Sequence, residues 1–401
     1  MVSDKFCDLS SNDFYLKGQN NPSFSAKSNI NSLDLRHQDE SVSINNTSKM
    51  KKANLLFFLF ILLIHSQCQP PNPPEVKETE ENTTIERPDY TIVIHGGAGS
   101  VSRENTDAAR EKMYSDSLNH ALNIGEEILK NGGSALDAVE KTIRFMEDCP
   151  LFNSGKGAVF THEGTNELDA SIMDGSKQDA GAVGGVKTIK HPITAARAVM
   201  EKSPHVFLSR EGAEEFSKQN GLEQVDNSYF FTQKNYDRLQ RILEKEKTKQ
   251  QGYNPNIEQE NPDWKYGTVG CAVLDKNGNL AAGTSTGGMT NKRWSRIGDS
   301  PIIGAGTYAN NETCAISSTG HGEYFIRYAV AYDISARMEY GKESFQEAAN
   351  EVIMKKLVEK GGSGGIIGVD KYGNVAMPFN TAGMFRAYAK PNERVVKMFP
   401  E

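Results

Sequence analysis

Trp264-Lys265-Tyr266-Gly267-Thr268-Val269-Gly270 stands where two unlike kinds of sequence meet. On its N-terminal side, residues 233–265 include EKEKTKQQ and NPNIEQENPD, which are charged, polar and broken by proline. That composition predicts a mobile surface loop. On its C-terminal side, GTVGCAVLDKNGNLAAGTSTGG sets two apolar runs around Lys276-Asn277-Gly278-Asn279, the pattern of a β-hairpin. A core strand therefore starts at Thr268, directly after an exposed segment. A cut between Gly267 and Thr268 would free a threonine α-amine, whose ordinary pKa of about 7.7–8.0 lets it take the proton of its own hydroxyl near neutral pH. Gly267, without a Cβ, can bend into the strained geometry in which Thr268 Oγ1 attacks the preceding carbonyl. Gly-Thr pairs at strand starts are commonly structural, so the pair acquires meaning only from its surroundings.

Outward from this junction, TIVIHGGAGS (91–100) reads as a β-branched strand ending in a glycine turn. Apolar spacing of three and four predicts helices over 104–131 and 135–147, separated by Gly132-Gly133. The glycine-rich run from Gly155 to Gly185 holds short apolar stretches that read as buried strands, and 192–219 returns to a helical pattern. Downstream, 321–358 reads as two helices, and IIGVDKYGNVAM (366–377) repeats the hairpin pattern. Strands and helices come in blocks rather than in strict alternation, so the expected class is α+β, with antiparallel sheets covered by helices. No phosphate-binding glycine motif follows a strand, which disfavours nucleotide use.

The 401 residues carry a formal net charge of -7 with scattered Lys and Arg, which argues against nucleic-acid binding. Cys7, Cys68, Cys149, Cys271 and Cys314 are too few and too irregular for a disulfide framework or a zinc site. Residues 1–49 are polar and aperiodic, and read as disordered sequence or a mis-assigned start. Met50 opens a charged head followed by LLFFLFILLI, the form of a secretory signal over 50–68. Cys68 stands where a lipoprotein would be acylated, although His65-Ser66-Gln67 suits that cleavage poorly; lipidation and an ordinary signal peptide both stay open. Residues 69–87, with PPNPP and an acidic run, read as a linker. The chain is thus expected to be exported, periplasmic or lipid-anchored.

The words IVIHGGAGS, NSGKGAVFTHEGTNELDASIMDG, GTVGCAVLDKNGNLAAGTSTGGMTNK, SRIGDSPIIGAGTYAN and STGHGEYFIR together resemble the plant-type asparaginase or isoaspartyl peptidase family, in family order over about residues 90–400. The resemblance implies the N-terminal-nucleophile (Ntn) hydrolase fold, a four-layer αββα sandwich. One folded domain would form from an α chain (88–267) and a β chain (268–401) produced by autocatalytic cleavage between Gly267 and Thr268. It further implies Thr268 as nucleophile, Thr286 as its supporting hydroxyl, Asn153 as an orienting residue, and the Thr319 hydroxyl with the Gly320 N–H as oxyanion donors. Arg296 and Asp299 would clamp the α-carboxylate and α-ammonium of an aspartyl substrate, an apt pairing because an arginine fork suits a carboxylate, with Gly322 adding a backbone contact. A loop corresponding to Met146, Glu147, Cys149, Phe152, Ser154 and Lys156 would wrap a structural sodium ion with backbone carbonyls, no other cofactor being required. His321 is read as a spectator, and Asp169 and Asp174 as turn residues beside the core.

The implied reaction is acyl transfer: Thr268 attacks the side-chain amide of asparagine or of a β-aspartyl peptide, and water then frees aspartate. A dimer of αβ units is the implied assembly. Two alternatives are a glycosylasparaginase, disfavoured by Tyr-Gly-Thr-Val-Gly at the junction, and a non-catalytic periplasmic protein binding aspartate-like ligands, disfavoured by the three threonines. A serine hydrolase on Ser285 or Ser318 lacks a nucleophile-elbow motif.

Overall fold

A computed structural model describes residues 87–248 and 267–400. The leader, Cys68, the linker up to residue 86 and the segment 249–266 lie outside the described residues. Strand β1 (Thr91–Gly99) is followed by helices α1 (Ala108–Lys130) and α2 (Ala135–Asp148), then by the hairpin of β2 (Leu168–Asp174) and β3 (Asp179–Val186). Next come α3 (Pro192–Lys202), β4 (Phe207–Ser209), α4 (Arg210–Gln219) and α5 (Gln233–Thr248). After the junction run β5 (Val269–Leu274), β6 (Leu280–Thr286), β7 (Thr307–Ala309) and β8 (Cys314–Gly320), then α6 (Gly322–Arg327), α7 (Val330–Glu339) and α8 (Phe345–Asn350). The chain closes with β9 (Gly364–Asp370), β10 (Val375–Ala376), β11 (Gly383–Lys390) and β12 (Glu393–Lys397).

An eight-stranded sheet in the order β12-β11-β1-β5-β6-β2-β3-β4 lies face to face with a four-stranded sheet, β10-β9-β8-β7. Pairing is antiparallel except between β3 and β4. Helices α1 to α3 cover the outer face of the larger sheet, and α7 and α8 that of the smaller, giving four layers, αββα. The alternation of side chains along a strand sorts them between two cores. Ile92, Ile94, Val269, Cys271 and Val273 face the α1–α2 layer, whereas Val93, Ala272 and Leu274 face the second sheet. Burial on both faces explains why these antiparallel strands read as continuous apolar runs rather than as alternating ones. Both hairpins with the pattern Asp-Lys-x-Gly-Asn turn on the aspartate. Asp275 Oδ1 accepts from the amides of Asn277 and Asn279, and Asp370 Oδ1 from those of Tyr372 and Asn374.

Three local expectations need correction. Residues 192–219 are two helices with β4 between them, paired to β3. Residues 233–248 are helix α5 rather than loop. Asn235, Arg238, Leu239 and Ile242 recur at helical spacing and form its buried face, a periodicity masked by the lysines and glutamates between them. Of the two helices expected over 321–358, the first is broken between α6 and α7 at Ala329, whose φ is +47°, and α8 continues through a π-helical turn (Glu351–Lys356) to Leu357–Glu359. Cys149, Cys271 and Cys314 are buried and form no disulfide among the described residues.

Candidate active site

Thr268 immediately precedes β5, the strand held between β1 and β6 in the larger sheet. Because Val269 pairs with Ser285, the register sets Thr268 opposite Thr286 at the end of β6. Thr268 Oγ1 donates to Thr286 Oγ1 at 3.3 Å, and Thr286 Oγ1 donates to the Gly267 carbonyl at 3.3 Å. Gly288 N–H donates to the same Thr286 oxygen at 3.0 Å. One buried hydroxyl thus touches the side chain of Thr268 and the carbonyl of the Gly267–Thr268 peptide.

The glycine-rich end of β1 presses against that peptide. Gly97 has a φ of +107°, and a Cβ there would sit 2.7 Å from Gly267 Cα and 3.1 Å from Thr268 N, so only glycine admits this approach. Two residues earlier, His95 is fully buried between the sheets, its Nδ1 3.0 Å from the Thr268 carbonyl oxygen and its Nε2 2.9 Å from Ser317 Oγ. A carbonyl only accepts, so Nδ1 carries the proton and Nε2 accepts from Ser317. Burial pushes the imidazole pKa down to about 3, which keeps it neutral. Behind Ser317 a buried hydroxyl chain runs through Thr284 (2.7 Å), Thr307 (2.6 Å) and Ser171 (2.8 Å). Gly270 makes room for it, since a Cβ there would overlap Ser317 Oγ and His95 Nε2.

The second sheet delivers the end of β8. Ala98 N–H donates to Thr319 Oγ1 at 3.2 Å, tying Thr319 to the residue after Gly97 and leaving the Thr319 proton to be given elsewhere. Gly320, at φ +153°, pairs in register with Gly364, whose own amide and carbonyl are both engaged by Asn380. Just beyond it, a Cβ on Gly322 would lie 2.8 Å from Asp299 Oδ1 and 2.9 Å from Arg296 Nη2, so the fold brings Arg296, Asp299 and Gly322 to one place. Arg296 does not pair with Asp299 directly. It makes a bidentate pair with Glu323, 2.8 Å on both arms. Burial opposes the guanidinium charge, yet Glu323 raises its pKa on balance. Asp299 is 5% exposed with Oδ2 buried and unpartnered, and burial lifts its pKa to about 7 despite the nearby Arg296. A buried carboxylate oxygen lacking a donor suits a cationic ligand group.

Asn153 lies against Gly267, where a Cβ would come within 3.0 Å of its own Cβ. Its side chain staples the loop to the end of β6: Nδ2 donates to the Gly288 carbonyl at 2.7 Å, and Oδ1 accepts from Val159 N–H at 2.9 Å. Met146 and Glu147 occupy the last turn of α2, where helix carbonyls lack intrahelical donors and the helix dipole favours a cation. The Cys149 carbonyl accepts from Phe152 N–H at 3.3 Å and that of Ser154 from Gly157 N–H at 3.1 Å, while the Phe152 carbonyl is close enough to Gly157 that a Cβ there would overlap it. Among the described residues no cluster of His, Cys, Asp or Glu side chains suits a metal ion. Lys156 points elsewhere, its Nζ 5.5 Å from the Tyr229 ring centroid.

Other candidates have structural partners. Ser285 Oγ donates to Glu147 Oε1 at 2.7 Å and Ser318 Oγ to the Ala305 carbonyl at 3.0 Å, both fully buried. Asp169 Oδ1 accepts from Gly185 N–H, and Asp174 Oδ1 from Ser176 in the β2–β3 turn. His321 Nε2 lies 3.4 Å from Glu323. Sequence reasoning passed over His95, Gly97 and Glu323. His95-Gly96-Gly97 at a strand end and Glu323 after STGHG were the available signals, but their roles depend on contacts from distant strands.

The asparaginase family model matches residues 88–397. The chain is similar to the isoaspartyl peptidase of Escherichia coli (strain K12), 50% identical over 297 residues that cover 74% of this chain and 92% of the relative. It is similar to the isoaspartyl peptidase of Salmonella typhimurium, 49% identical over 297 residues covering 74% and 94%. With the isoaspartyl peptidase/L-asparaginase of Bos taurus it shares 41% identity over 302 residues covering 75% and 92%.

Proposed function

The chain belongs to the asparaginase family, and on that premise we propose that it cuts itself between Gly267 and Thr268 and then hydrolyses β-aspartyl peptides and asparagine. It is a hydrolase of the same class as its relatives, which carry the names isoaspartyl peptidase and L-asparaginase. The observation that carries the threonine mechanism is the hydroxyl pair: Thr268 Oγ1 3.3 Å from Thr286 Oγ1, itself bonded to the Gly267 carbonyl.

In the first reaction Thr268 Oγ1 forms a bond to the Gly267 carbonyl carbon as the Gly267–Thr268 C–N bond breaks, giving an ester and a free α-amine. Water then splits the ester, leaving a Gly267 carboxylate and an N-terminal Thr268. In the second, the α-amine takes the Oγ1 proton as the oxygen attacks the substrate's side-chain carbonyl. The Thr319 hydroxyl and Gly320 N–H receive the developing negative charge, each such donor being worth about 2.7–4 kcal/mol in comparable hydrolases. Arg296 binds the α-carboxylate and Asp299 the α-ammonium. Ammonia or a peptide amine leaves, and water releases aspartate.

The loop from Met146 to Lys156 would hold its sodium ion away from these steps, as a brace for Asn153. The assembly we favour is a dimer of αβ units. Export rests on residues 50–68 alone, and among the described residues no helix is long and apolar enough to cross a membrane. The test is intact mass spectrometry of residues 88–401 beside Thr268→Ala, coupled to aspartate release from β-aspartyl-leucine. Fragments ending at Gly267 and beginning at Thr268, in the parent alone and with aspartate released, are the expected result. An uncut parent that releases aspartate would remove the N-terminal threonine from the mechanism.

A further inference from the structure

The last turns of α5 rest on the loop that leads from β6 to Arg296. Ile242, on the buried face of the helix, packs against Met289. Glu246 follows four residues later on the same face and reaches two residues of the loop. Asn291 Nδ2 donates to Glu246 Oε1 at 2.8 Å, and Arg293 Nη2 donates to Oε2 at 2.8 Å. The side chains of this ion pair are 23% and 22% exposed, so water screens it only in part. Asn291 is buried, and its Oδ1 accepts from His162 Nδ1 at 2.8 Å, which sets the orientation of its amide.

The loop has a shape that needs holding. Asn291, Trp294 and Ser295 have φ values of +64°, +54° and +52°. Residues other than glycine keep that conformation only where the surroundings over-determine it. The first half is anchored by Asn291 N–H donating to the Phe160 carbonyl at 2.8 Å and by buried Lys292, whose Nζ donates to the Glu167 carbonyl at 2.9 Å. In the second half, Arg296 N–H donates to the Arg293 carbonyl at 3.0 Å. The backbone of Arg293 thus sets the turn from which the Arg296 side chain departs, and Glu246 grips the side chain of Arg293.

We propose that Glu246 is a positioning residue for substrate binding: through Asn291 and Arg293 it holds the loop so that Arg296 meets the aspartyl half of the substrate. The proposal rests on the hydrolase reading above and deepens it. Glu246 acts through the loop and touches no reacting atom. After the cut between Gly267 and Thr268, α5 belongs to one product chain and the loop to the other. The contact then ties the substrate clamp of the β chain to the α chain without a covalent link. Asparagine and β-aspartyl peptides share the aspartyl half, so both depend on it equally.

The test is steady-state kinetics of fully matured enzyme on asparagine and β-aspartyl-leucine, comparing the parent with Glu246→Ala, Glu246→Gln, Arg293→Met and the Ala/Met double variant. Glu246→Ala and Arg293→Met are each expected to raise KM for both substrates about fivefold with kcat within about twofold. A loop that spends only a fraction of its time in the competent shape weakens apparent affinity by that fraction. The double variant is expected to match the worse single one, because both break the same contact. Glu246→Gln keeps an acceptor for Asn291 and loses only the charge, so about a twofold rise is expected; it also carries the test if the alanine variant fails to fold. Asp137→Asn loosens an ion pair with Arg197 among the outer helices and is expected to leave KM unchanged. Unchanged KM in Glu246→Gln and Arg293→Met overturns the proposal. So does a rise confined to the dipeptide, which would place Glu246 on the leaving side, or slowed maturation with normal KM once mature. A mature parent inactive on both substrates removes the hydrolase reading itself, a distinguishable failure.

Discussion

Thr286→Val probes the hydroxyl on which the proposed self-cleavage turns. Valine keeps the volume and β-branching of threonine but deletes three contacts of a side chain that is 3% exposed: the 3.3 Å bonds to Thr268 Oγ1 and the Gly267 carbonyl, and the 3.0 Å bond from Gly288 N–H. In the resting fold the main loss is the stranded Gly288 amide, a cost of about 1–3 kcal/mol. In the reaction the loss is the donor to the Gly267 carbonyl, where negative charge develops; removing such a donor costs roughly 10²–10³ in rate. At 3.3 Å the bond is longer than the usual O–H···O range of about 2.5–3.0 Å, which places the expectation at the lower end, about a hundredfold. The assay follows by intact mass the appearance of the chain beginning at Thr268 in purified residues 88–401, with Thr286→Ser as the control that retains the hydroxyl. Serine is expected to mature within about threefold of the parent, the rotamer freedom of the smaller side chain being its main penalty. A valine variant that is folded and matures at the parent rate would refute the role assigned to Thr286.

Asp299 must be ionised to bind an ammonium group, and its pKa of about 7 means that kcat/KM falls as pH drops below 7. Asp299→Asn should lower kcat/KM throughout and leave only the acid limb set by the Thr268 amine, measured between pH 5 and 9. Burial raises Glu147 to about pKa 8, above its unfolded value, so its contribution to stability is fully present below the unfolded pKa and is lost as pH rises through about 8. Glu147→Gln should therefore lose less Tm between pH 6 and pH 9 than the parent, by calorimetry. His95→Phe strands the Thr268 carbonyl and the Ser317 hydroxyl, and is expected to cost about 2–4 kcal/mol in urea unfolding. Glu323→Gln loosens Arg296 and should raise KM for asparagine about tenfold with little change in kcat, read from steady-state kinetics.

Much was legible in the chain because it depended on local pattern. Apolar runs bounded by Asp-Lys-x-Gly-Asn turns specify the β5–β6 and β9–β10 hairpins, and helical spacing specifies α1 and α2, whatever the rest of the molecule does. The abrupt passage from a charged segment into a buried strand at Thr268 was visible as composition alone. Where charge density hid the period, as in α5, the same reading failed. Tertiary structure decided what the local pattern could not reach: the sheet order that puts β5 between β1 and β6, and the second sheet that brings Thr319 beside Ala98. It also decided that Arg296 pairs with Glu323 while Asp299 stays buried beside it, and that a histidine 173 positions away from Thr268 holds its carbonyl. Hydrogen bonds and desolvation act over about 3 Å of space, and only the folded chain brings residues so far apart in sequence within that distance.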